Sequence, residues 1–263
     1  MSFGKKYVDS FEFAKRYDNF RKSLEIIRAH NINLKATYKM GLNQFSDWTQ
    51  GEIDSFLTLQ VEKEERKKNY ADLSQKVMKA DVDWREKGII NKIKDQGSCG
   101  SCWAFSAIGA VEAAYAQLDG TTLPDLSEQL LVDCNRGTWI FGNQGCNGGL
   151  MNYAFDWLKT NQPALTSDYP YTAKDGTCNK SYKKFGLKLT GYTDVKENHN
   201  DLKKALSQQP VSVAIMANQD PWMKYQEGII TGCKDTRLDH GILAIGYGKD
   251  EDTKLEYVLV RNS

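Results

Sequence analysis

The sequence lacks an excess of charge of either sign and has no long hydrophobic run. Over 263 residues, 35 Lys and Arg nearly balance 34 Asp and Glu, which argues against a nucleic-acid-binding surface. No apolar run approaches the roughly 18 residues that a membrane helix needs, so we expect no membrane segment. The first residues also lack the apolar core of a secretory signal. Either the protein is cytosolic, or its signal is not part of this sequence.

Cysteine is absent from the first 98 residues and then occurs six times. The six are Cys99, Cys102, Cys134, Cys146, Cys178 and Cys233. Disulfides are the default reading of such a set in an oxidising compartment. If one cysteine is reserved for catalysis, five remain, and five cannot all pair. The distribution also indicates that the N-terminal part and the rest of the chain differ in structure.

Residues 1–57 are charged and helical in pattern. Phe13, Phe20, Leu24 and Ile27 recur at helical spacing, which predicts one apolar face of an amphipathic helix. A second short helix is expected after Asp47. Residues 58–80 read as a linker, in which the charged run 62–68 is most simply a solvated helical face or a flexible tether.

From residue 81 onward the pattern predicts helices first and strands later. A helix starting at or just before Cys102 places these apolar residues at helical spacing: Phe105, Ile108, Val111, Tyr115 and Leu118. A shorter helix is predicted over 150–158. Extended runs rich in β-branched residues are 211–215, 242–245 and 257–260. A helix-rich half followed by a strand-rich half predicts an α+β fold.

Residues 96–106 carry the most chemical information. A Gly-rich turn delivers Cys102 to the first turn of an apolar helix. The positive end of a helix stabilises a thiolate, and with a nearby imidazolium it lowers the thiol pKa well below about 8.5. Because the thiolate is the reactive species, this is a suitable place for a nucleophile.

Two other interpretations of this segment are open. Cys99 and Cys102 have the spacing of a redox pair or of half a zinc site. A zinc site would need a second close pair, and no Cys-x-x-Cys or His-x-x-His recurs. A redox motif would follow a strand in a compact α/β unit, which the pattern does not predict here.

The segment Cys99-Gly100-Ser101-Cys102-Trp103 resembles in full the signature of the papain-like cysteine proteases. In that family a His and an Asn follow about 130–150 residues downstream. His240 lies within this band, and Asn262 lies slightly beyond it. The other two histidines, His30 and His199, are expected to be surface residues.

The resemblance implies a role for each residue. His240 would pair with the Cys102 thiolate and later protonate the leaving amine. Asn262 would accept a hydrogen bond from the far imidazole nitrogen and so fix the tautomer. The side chain of Gln96 would donate, together with the Cys102 backbone N–H, to the tetrahedral oxyanion.

The resemblance extends to the N-terminal part. Residues 12–31 are similar to the cathepsin L-type prosegment at Glu12, Arg16, Phe20, Ile27 and Asn31, and a second prosegment motif is matched at Gly41, Asn43, Phe45 and Asp47. It implies a papain-like two-lobed fold with a helical and a β-rich lobe. Residues 1–57 would form an inhibitory prodomain, 58–80 a linker through the cleft, and 81–263 the peptidase domain. Cleavage is expected near Ala80.

The family pattern also implies disulfides and a substrate site. The disulfides would be Cys99–Cys146 and Cys134–Cys178, with the partner of Cys233 missing. Gly149 would bond the substrate backbone. The substrate-binding positions are Gly100, Gly148, Gly149, Met151, Ala214, Leu238, Asp239 and Gly241. Because Met151, Ala214, Leu238 and Gly241 line the pocket for the second residue before the scissile bond, we expect a bulky hydrophobic preference there.

The family continues past Asn262-Ser263 with further strands, so we expect a C-terminally incomplete chain that could be inactive as it stands. The implied activity is that of an endopeptidase zymogen, lysosomal or secreted, without metal or cofactor. Its partners would be protein or peptide substrates, its own prodomain and cystatin-type inhibitors, and it would be a monomer that binds neither nucleic acid nor membrane. The alternatives are a binding pseudoprotease, which typically loses the nucleophile, and a disulfide oxidoreductase.

Overall fold

The computed structural model describes residues 3–60, 66–120, 122–138, 142–234 and 237–263. The charged run predicted as a solvated face or tether lies partly outside the described residues, at positions 62–65. The chain forms two compact units, one of residues 1–57 with 216–237 and one of residues 58–215 with 238–263. The first unit therefore combines the predicted prodomain with a segment that we had assigned to the peptidase domain.

The helices are α1 (Ser10–Asn31), α2 (Gln50–Phe56), α3 (Cys102–Asp119), α4 (Glu128–Cys134), α5 (Met151–Thr160), α6 (His199–Leu206) and α7 (Asp220–Met223). The strands are β1 (Tyr38–Met40), β2 (Val82–Asp83), β3 (Val211–Ile215), β4 (Tyr225–Gly228), β5 (His240–Lys249) and β6 (Glu256–Arg261). A short 3-10 helix covers Trp84–Lys87. Helices and antiparallel strands together make the α+β class that the sequence predicted.

In the first unit, α1 carries the prosegment motif and β1 pairs antiparallel with β4. Arg16 of α1 donates to Glu52 of α2 at 2.6 Å and lies 3.5 Å from Glu12. Burial raises the pKa of Glu52, but hydrogen bonds from Arg16 and Thr49 outweigh it and lower that pKa to about 2. The ion pair joins the two helices of the prosegment.

The predicted apolar face of α1 is only partly right. Ile27 is buried and Phe20 and Leu24 are half-buried, but Phe13 is 53% exposed. The Phe13 ring instead packs against the ring of Tyr7, with centroids 5.7 Å apart. Phe13 therefore fits the helical periodicity of the apolar face without reaching the core. Its contact with Tyr7 covers part of the exposed ring.

In the second unit, α3 forms the centre of the apolar core. Its residues from Cys102 to Ala113 are buried, and it packs against α5, α4 and β5. Leu118, which the periodicity placed on the same face, is 89% exposed. The last turn of α3 extends beyond the elements that pack against it. The apolar spacing of the sequence therefore continues past the end of the core.

The sheet of the second unit is built around β5, which pairs antiparallel with β2, β3 and β6. This sheet contains the three extended runs that the sequence predicted. His240 is the first residue of β5 and lies opposite Ile215, and Gly241 lies opposite Ala214. The start of β5 is thus fixed by pairing to β3, and β6 pairs with β5 from Leu243 onward.

A buried charge cluster joins α3 to α4. Lys94 bonds Glu112 of α3 at 3.3 Å and Glu128 of α4 at 2.7 Å, and both carboxylates are 1% exposed. Burial raises the pKa of Glu128 to about 7. Sequence reasoning did not find this cluster, because its members lie far apart in the chain. Among the residues the structure describes, no helix has the length and apolar character to cross a membrane.

Candidate active site

Cys102 is the first residue of α3 and is completely buried. The loop before it, residues 96–101, is tied down by the Cys99–Cys146 disulfide. The Gly100 N–H also donates to the Cys146 carbonyl at 2.9 Å. The helix start predicted at Cys102 is confirmed, and the covalent tie fixes the loop that delivers this residue to α3.

His240 and Asn262 meet through the pairing of β5 with β6. His240 Nε2 lies 2.6 Å from Asn262 Oδ1, and His240 is 1% exposed. Gly241, next to His240, lies beside Cys102: a Cβ on Gly241 would be 3.5 Å from the Cys102 carbonyl oxygen. The structure therefore brings Cys102, His240 and Asn262 into one site, with Asn262 bonded to the imidazole as the resemblance implied.

Gln96 lies in the same loop, fully buried. Its Nε2 donates to the Cys99 carbonyl at 3.0 Å, and its Oε1 accepts from Ser263 Oγ at 2.9 Å. Both ends of the amide are thus held close to the nucleophile loop. The predicted role of Gln96 as an oxyanion donor stays a prediction.

The pKa shifts of Cys102 and His240 both favour the neutral form of the side chain. Burial raises the pKa of the Cys102 thiol to about 11, against the lowering effect of backbone N–H groups of Gly241, Trp103 and Thr58. Burial also lowers the pKa of His240, against the hydrogen bond to Asn262. With residues 58–60 in place, both shifts favour thiol and imidazole at neutral pH, and the predicted ion pair of Cys102 and His240 stays a prediction.

The reason for this burial is the segment Thr58-Leu59-Gln60, which covers Cys102. Thr58 Oγ1 donates to the Gly100 carbonyl at 2.8 Å. The Leu59 N–H donates to the Asp239 carbonyl at 3.0 Å, and the Gln60 N–H donates to the Gly149 carbonyl at 3.1 Å. Leu59 and Gly149 form a parallel bridge. The linker runs across the predicted substrate positions, as expected.

Two glycines make room for this segment. A Cβ on Gly148 would overlap the Thr58 carbonyl, and a Cβ on Gly100 would overlap the Thr58 side chain. Gly148 also has φ +106, a conformation that favours glycine. Close approach of an extended chain to Cys102 requires both positions to lack a side chain.

Leu59 is 4% exposed and belongs to the same apolar cluster as Cys102 and Met151, with Ala214 packed against it. A Cβ on Gly241 would lie 3.4 Å from Leu59 Cδ1 and 3.0 Å from Met151 Sδ. Three of the four predicted pocket residues therefore lie in or beside the apolar cluster that contains Leu59. The fourth, Leu238, is 46% exposed and lies outside that cluster.

Farther along, the linker is held at Asp194. The Arg66 guanidinium binds both carboxylate oxygens of Asp194, and it lies 5.7 Å from the ring centroid of Tyr192. The Asn69 N–H donates to Asp194 Oδ2 at 2.9 Å, and Tyr70 forms a parallel bridge with Asp194. Arg66 lowers the pKa of Asp194. This second anchor was not predicted.

The cysteines pair as the resemblance implied. Cys99 bonds Cys146, and Cys134 bonds Cys178. Cys102 is a free thiol, and so is Cys233, which is exposed. Because Cys99 is committed to Cys146, the redox and zinc interpretations of the Cys99–Cys102 pair do not fit this structure.

The other two histidines, His30 and His199, lie on α1 and α6. His199 is exposed at the start of α6. His30 is half-buried instead of a simple surface residue: its Nε2 lies 3.0 Å from the Tyr38 carbonyl, and its ring packs against Tyr38. Its role is to join α1 to β1.

Sequence reasoning missed the support of the nucleophile loop by Tyr171. The Tyr171 hydroxyl donates to the Gln96 carbonyl at 2.8 Å and lies 2.6 Å from Ser101 Oγ. A serine before a helix is recognisable as a candidate cap, but nothing in the sequence ties it to a tyrosine 70 residues later.

Comparison with known proteins gives two family matches along the chain. Residues 78–263 match the papain family cysteine proteases, and residues 1–53 match the cathepsin propeptide inhibitor domain. Germination-specific cysteine protease 1 of Arabidopsis thaliana is 44% identical over 95% of this chain and 68% of its own length. Cysteine proteinase COT44 of Brassica napus is 43% identical over 95% of this chain and 78% of its own length.

A solved structure gives the same result for the fold. The digestive procathepsin L2 proteinase of Tenebrio molitor larval midgut superposes with a TM-score of 0.89 at 31% identity, over 100% of this chain and 86% of that one. The site and fold define a cysteine protease that carries its own inhibitory propeptide. The chain belongs to the papain family of cysteine proteases, and the structure is that of a zymogen.

Proposed function

We propose that this enzyme hydrolyses peptide bonds through Cys102, His240 and Asn262, with Gln96 as an oxyanion donor. One observation carries the proposal. The buried Cys102 thiol at the start of α3 lies in the same site as the His240 imidazole, which is hydrogen-bonded to the Asn262 side-chain oxygen. The His240–Asn262 distance of 2.6 Å supports a fixed imidazole orientation. The free state of Cys102, when four other cysteines are paired, supports its role as nucleophile.

In the reaction, His240 takes the proton of the Cys102 thiol and the thiolate attacks the scissile carbonyl carbon. The carbonyl oxygen becomes an oxyanion, to which the Gln96 side chain and the Cys102 N–H donate. The C–N bond then breaks, and the imidazolium gives its proton to the leaving amine. Water, deprotonated by His240, attacks the thioester and releases the acid and the thiol.

Latency follows from the prosegment, which is an intramolecular inhibitor. While residues 58–60 cover Cys102, burial holds its thiol pKa at about 11. We propose that cleavage near Ala80 releases residues 1–80 from a peptidase domain of residues 81–263. Exposure to water would then remove the desolvation that keeps both groups neutral, and the thiolate–imidazolium pair would form.

We propose that the pocket occupied by Leu59 accepts the second residue before the scissile bond and prefers a bulky hydrophobic side chain. The apolar surroundings at Met151, Ala214 and Gly241 support this preference, because they offer no partner to a buried charge. Leu238 would line the outer edge of the pocket. Gly149 and Asp239 would bond the substrate backbone, since their carbonyls already accept from the linker.

The test is hydrolysis of matched peptides by the acid-processed full chain. Peptides that differ only at the second residue before the cleaved bond, Leu or Arg, separate the parts of the proposal. We expect thiol-dependent cleavage at least tenfold faster with Leu, and none by the Cys102→Ser variant. A preference for Arg would refute the pocket assignment, and activity in Cys102→Ser would refute the nucleophile.

We also propose a lysosomal or secreted location, a monomeric processed enzyme and inhibition by cystatin-type proteins. The two disulfides support an oxidising route, since the cytosol keeps most thiols reduced. Light scattering of the processed enzyme and titration with a cystatin test the last two. A dimer, or full activity with excess cystatin, would contradict them.

A further inference from the structure

Asn262 lies beyond the paired part of the strand that leads to it. β6 ends at Arg261, whose partner on β5 is Leu243, so Asn262 follows the last paired residue. Asn262 is also exposed, so it is not held by burial in the core. Its Oδ1 nevertheless lies 2.6 Å from His240 Nε2. A contact other than strand pairing therefore holds this residue in place.

The direction of the hydrogen bond between His240 and Asn262 follows from a second contact. The Ser263 N–H donates to the same Asn262 Oδ1 at 2.9 Å. Because a backbone N–H can only donate, this atom is the amide oxygen, and it must also accept from His240. The ring proton of His240 is therefore on Nε2. The position of Asn262 thus decides which ring nitrogen carries the proton.

The side chain of Arg261 connects the end of β6 to α3. Arg261 Nη1 donates to the Asn91 carbonyl at 3.2 Å. Asn91 is itself held, because its Nδ2 donates to the Pro124 carbonyl at 2.8 Å. A Cβ on Gly109 of α3 would overlap Arg261 Nη2 and would lie 3.3 Å from Arg261 Cζ. The guanidinium therefore lies directly against the helix backbone at Gly109.

Gly109 leaves the space that this guanidinium occupies. It lies in the interior of α3, where glycine is less favourable than alanine. Its φ is not in the left-handed region, so the backbone conformation does not require glycine. Gly109 follows Cys102 by seven residues, which is about two helical turns, so the two lie on one face of α3. Arg261 therefore contacts the helix face that carries the nucleophile.

We propose that Arg261 is a positioning residue: held between Gly109 and the Asn91 carbonyl, its guanidinium fixes the end of β6 so that Asn262 accepts the Nε2 proton of His240. Arg261 acts through Asn262 and takes no part in the chemistry itself. The inference rests on the proposed function, in which the imidazole must be oriented. The hydrogen bond that it concerns is nevertheless present in the zymogen and can be measured without turnover.

Two single variants loosen the contact in different ways. Arg261→Met keeps the approximate length of the side chain and removes its donors. Gly109→Ala keeps the guanidinium with its charge and donors, but the new Cβ displaces the flexible end of that side chain. Because alanine favours a helix more than glycine does, a weaker Asn262 contact in Gly109→Ala would not reflect a weaker helix. The matched control is Glu256→Gln, which removes the charge that pairs with Lys203 at 2.6 Å at the other end of β6.

The measurement is the exchange rate of the His240 Nε2 proton with water at pH 7, by NMR of the full chain labelled with ring-¹⁵N histidine. The chain has three histidines, so the ring spectrum is simple. Asn262→Ala identifies the signal and gives the exchange rate without the amide oxygen. We expect exchange about 3–10-fold faster than in the parent for Arg261→Met and Gly109→Ala, as for the loss of one hydrogen bond. Glu256→Gln should exchange at the parental rate.

The decisive comparison repeats both substitutions in the Asn262→Ala chain. If Arg261 acts through Asn262, neither Arg261→Met nor Gly109→Ala accelerates exchange further in that chain. A general loosening of the strand end predicts the same acceleration with or without the Asn262 side chain. Non-additivity of the two changes is therefore specific to a positioning role.

Faster exchange in the single variants that disappears in the Asn262→Ala chain, with Glu256→Gln unchanged, supports the proposal. A parental rate in a folded single variant, or equal acceleration in both chains or in Glu256→Gln, overturns it. Should one of Arg261→Met and Gly109→Ala not fold, the other decides by the same results. If neither folds, the contact is needed for folding itself and the proposal fails. Proton exchange needs no turnover, so each result stands apart from the hydrolysis test of the proposed function.

Discussion

Replacement of Leu59 by alanine should open the zymogen without damage to the peptidase site. Leu59 is 4% exposed and packs in the cluster that contains Cys102 and Met151. Truncation of a buried leucine costs about 2–5 kcal/mol. Because this leucine lies on a segment that can lift away, we take the lower end, about 2–3 kcal/mol, for the closed state relative to the open one.

That energy corresponds to an open population about 30–150 times larger, since 1.4 kcal/mol is a factor of ten. Cys102 is completely buried when the segment is closed, so its alkylation reports the open population when opening is faster than the reaction. We therefore expect iodoacetamide to alkylate Cys102 about 30–150 times faster in Leu59→Ala, with Cys233→Ser in both chains.

The matched control is Leu34→Ala, because Leu34 also precedes residue 80 but is 98% exposed. It should leave the alkylation rate unchanged. An unchanged rate in Leu59→Ala would refute the reasoning that this side chain holds the segment over the nucleophile. Equal acceleration by both substitutions would also refute it, because it would indicate general loosening of the prosegment.

Two further predictions concern the ion pairs of the prosegment. Arg66→Ala removes the bidentate contact to Asp194 and should speed limited proteolysis of the linker about fivefold at pH 7, for a loss of about 1 kcal/mol. Arg66 lowers the pKa of Asp194 below its ordinary value of 3.8. The contact therefore contributes its full stability at every pH well above 3.8 and loses it only as the pH falls below that value. The fivefold ratio should persist at pH 5. Arg16→Ala should cost the prosegment about 1 kcal/mol at pH 5 in denaturant unfolding, a figure reduced for solvent screening because Glu52 is 37% exposed. With a Glu52 pKa of about 2 in the parent, the difference should vanish only between pH 4.5 and 2, and a loss already complete at pH 5 would contradict the assignment.

The elements around the nucleophile were predictable because their causes are local. The Gly-rich turn before Cys102 and the apolar spacing after it determine where α3 begins. The β-branched run after His240 similarly forms β5. The disulfides and the Asn262 contact came from the resemblance alone, since six cysteines allow many pairings and spacing does not choose among them.

The errors and omissions have a common physical origin in long-range packing. Periodicity identifies an apolar face but not where its partner ends, which is why Phe13 and Leu118 are exposed. The linker was expected in the cleft, but its register, with Leu59 in the apolar pocket, depends on partners more than 40 residues away along the chain. Tyr171 was missed for the same reason, because a tyrosine hydroxyl carries no sequence mark of the loop that it binds.

The most direct test of the account is to locate the covalent label of an epoxide active-site reagent by mass spectrometry. The acid-processed full chain is reacted to completion, digested and sequenced, and residual peptide hydrolysis is measured in parallel. The account predicts one label per chain, on the Cys102 sulfur, with activity lost in proportion to labelling. A label on Cys233, or hydrolysis that persists after Cys102 is fully labelled, would contradict it.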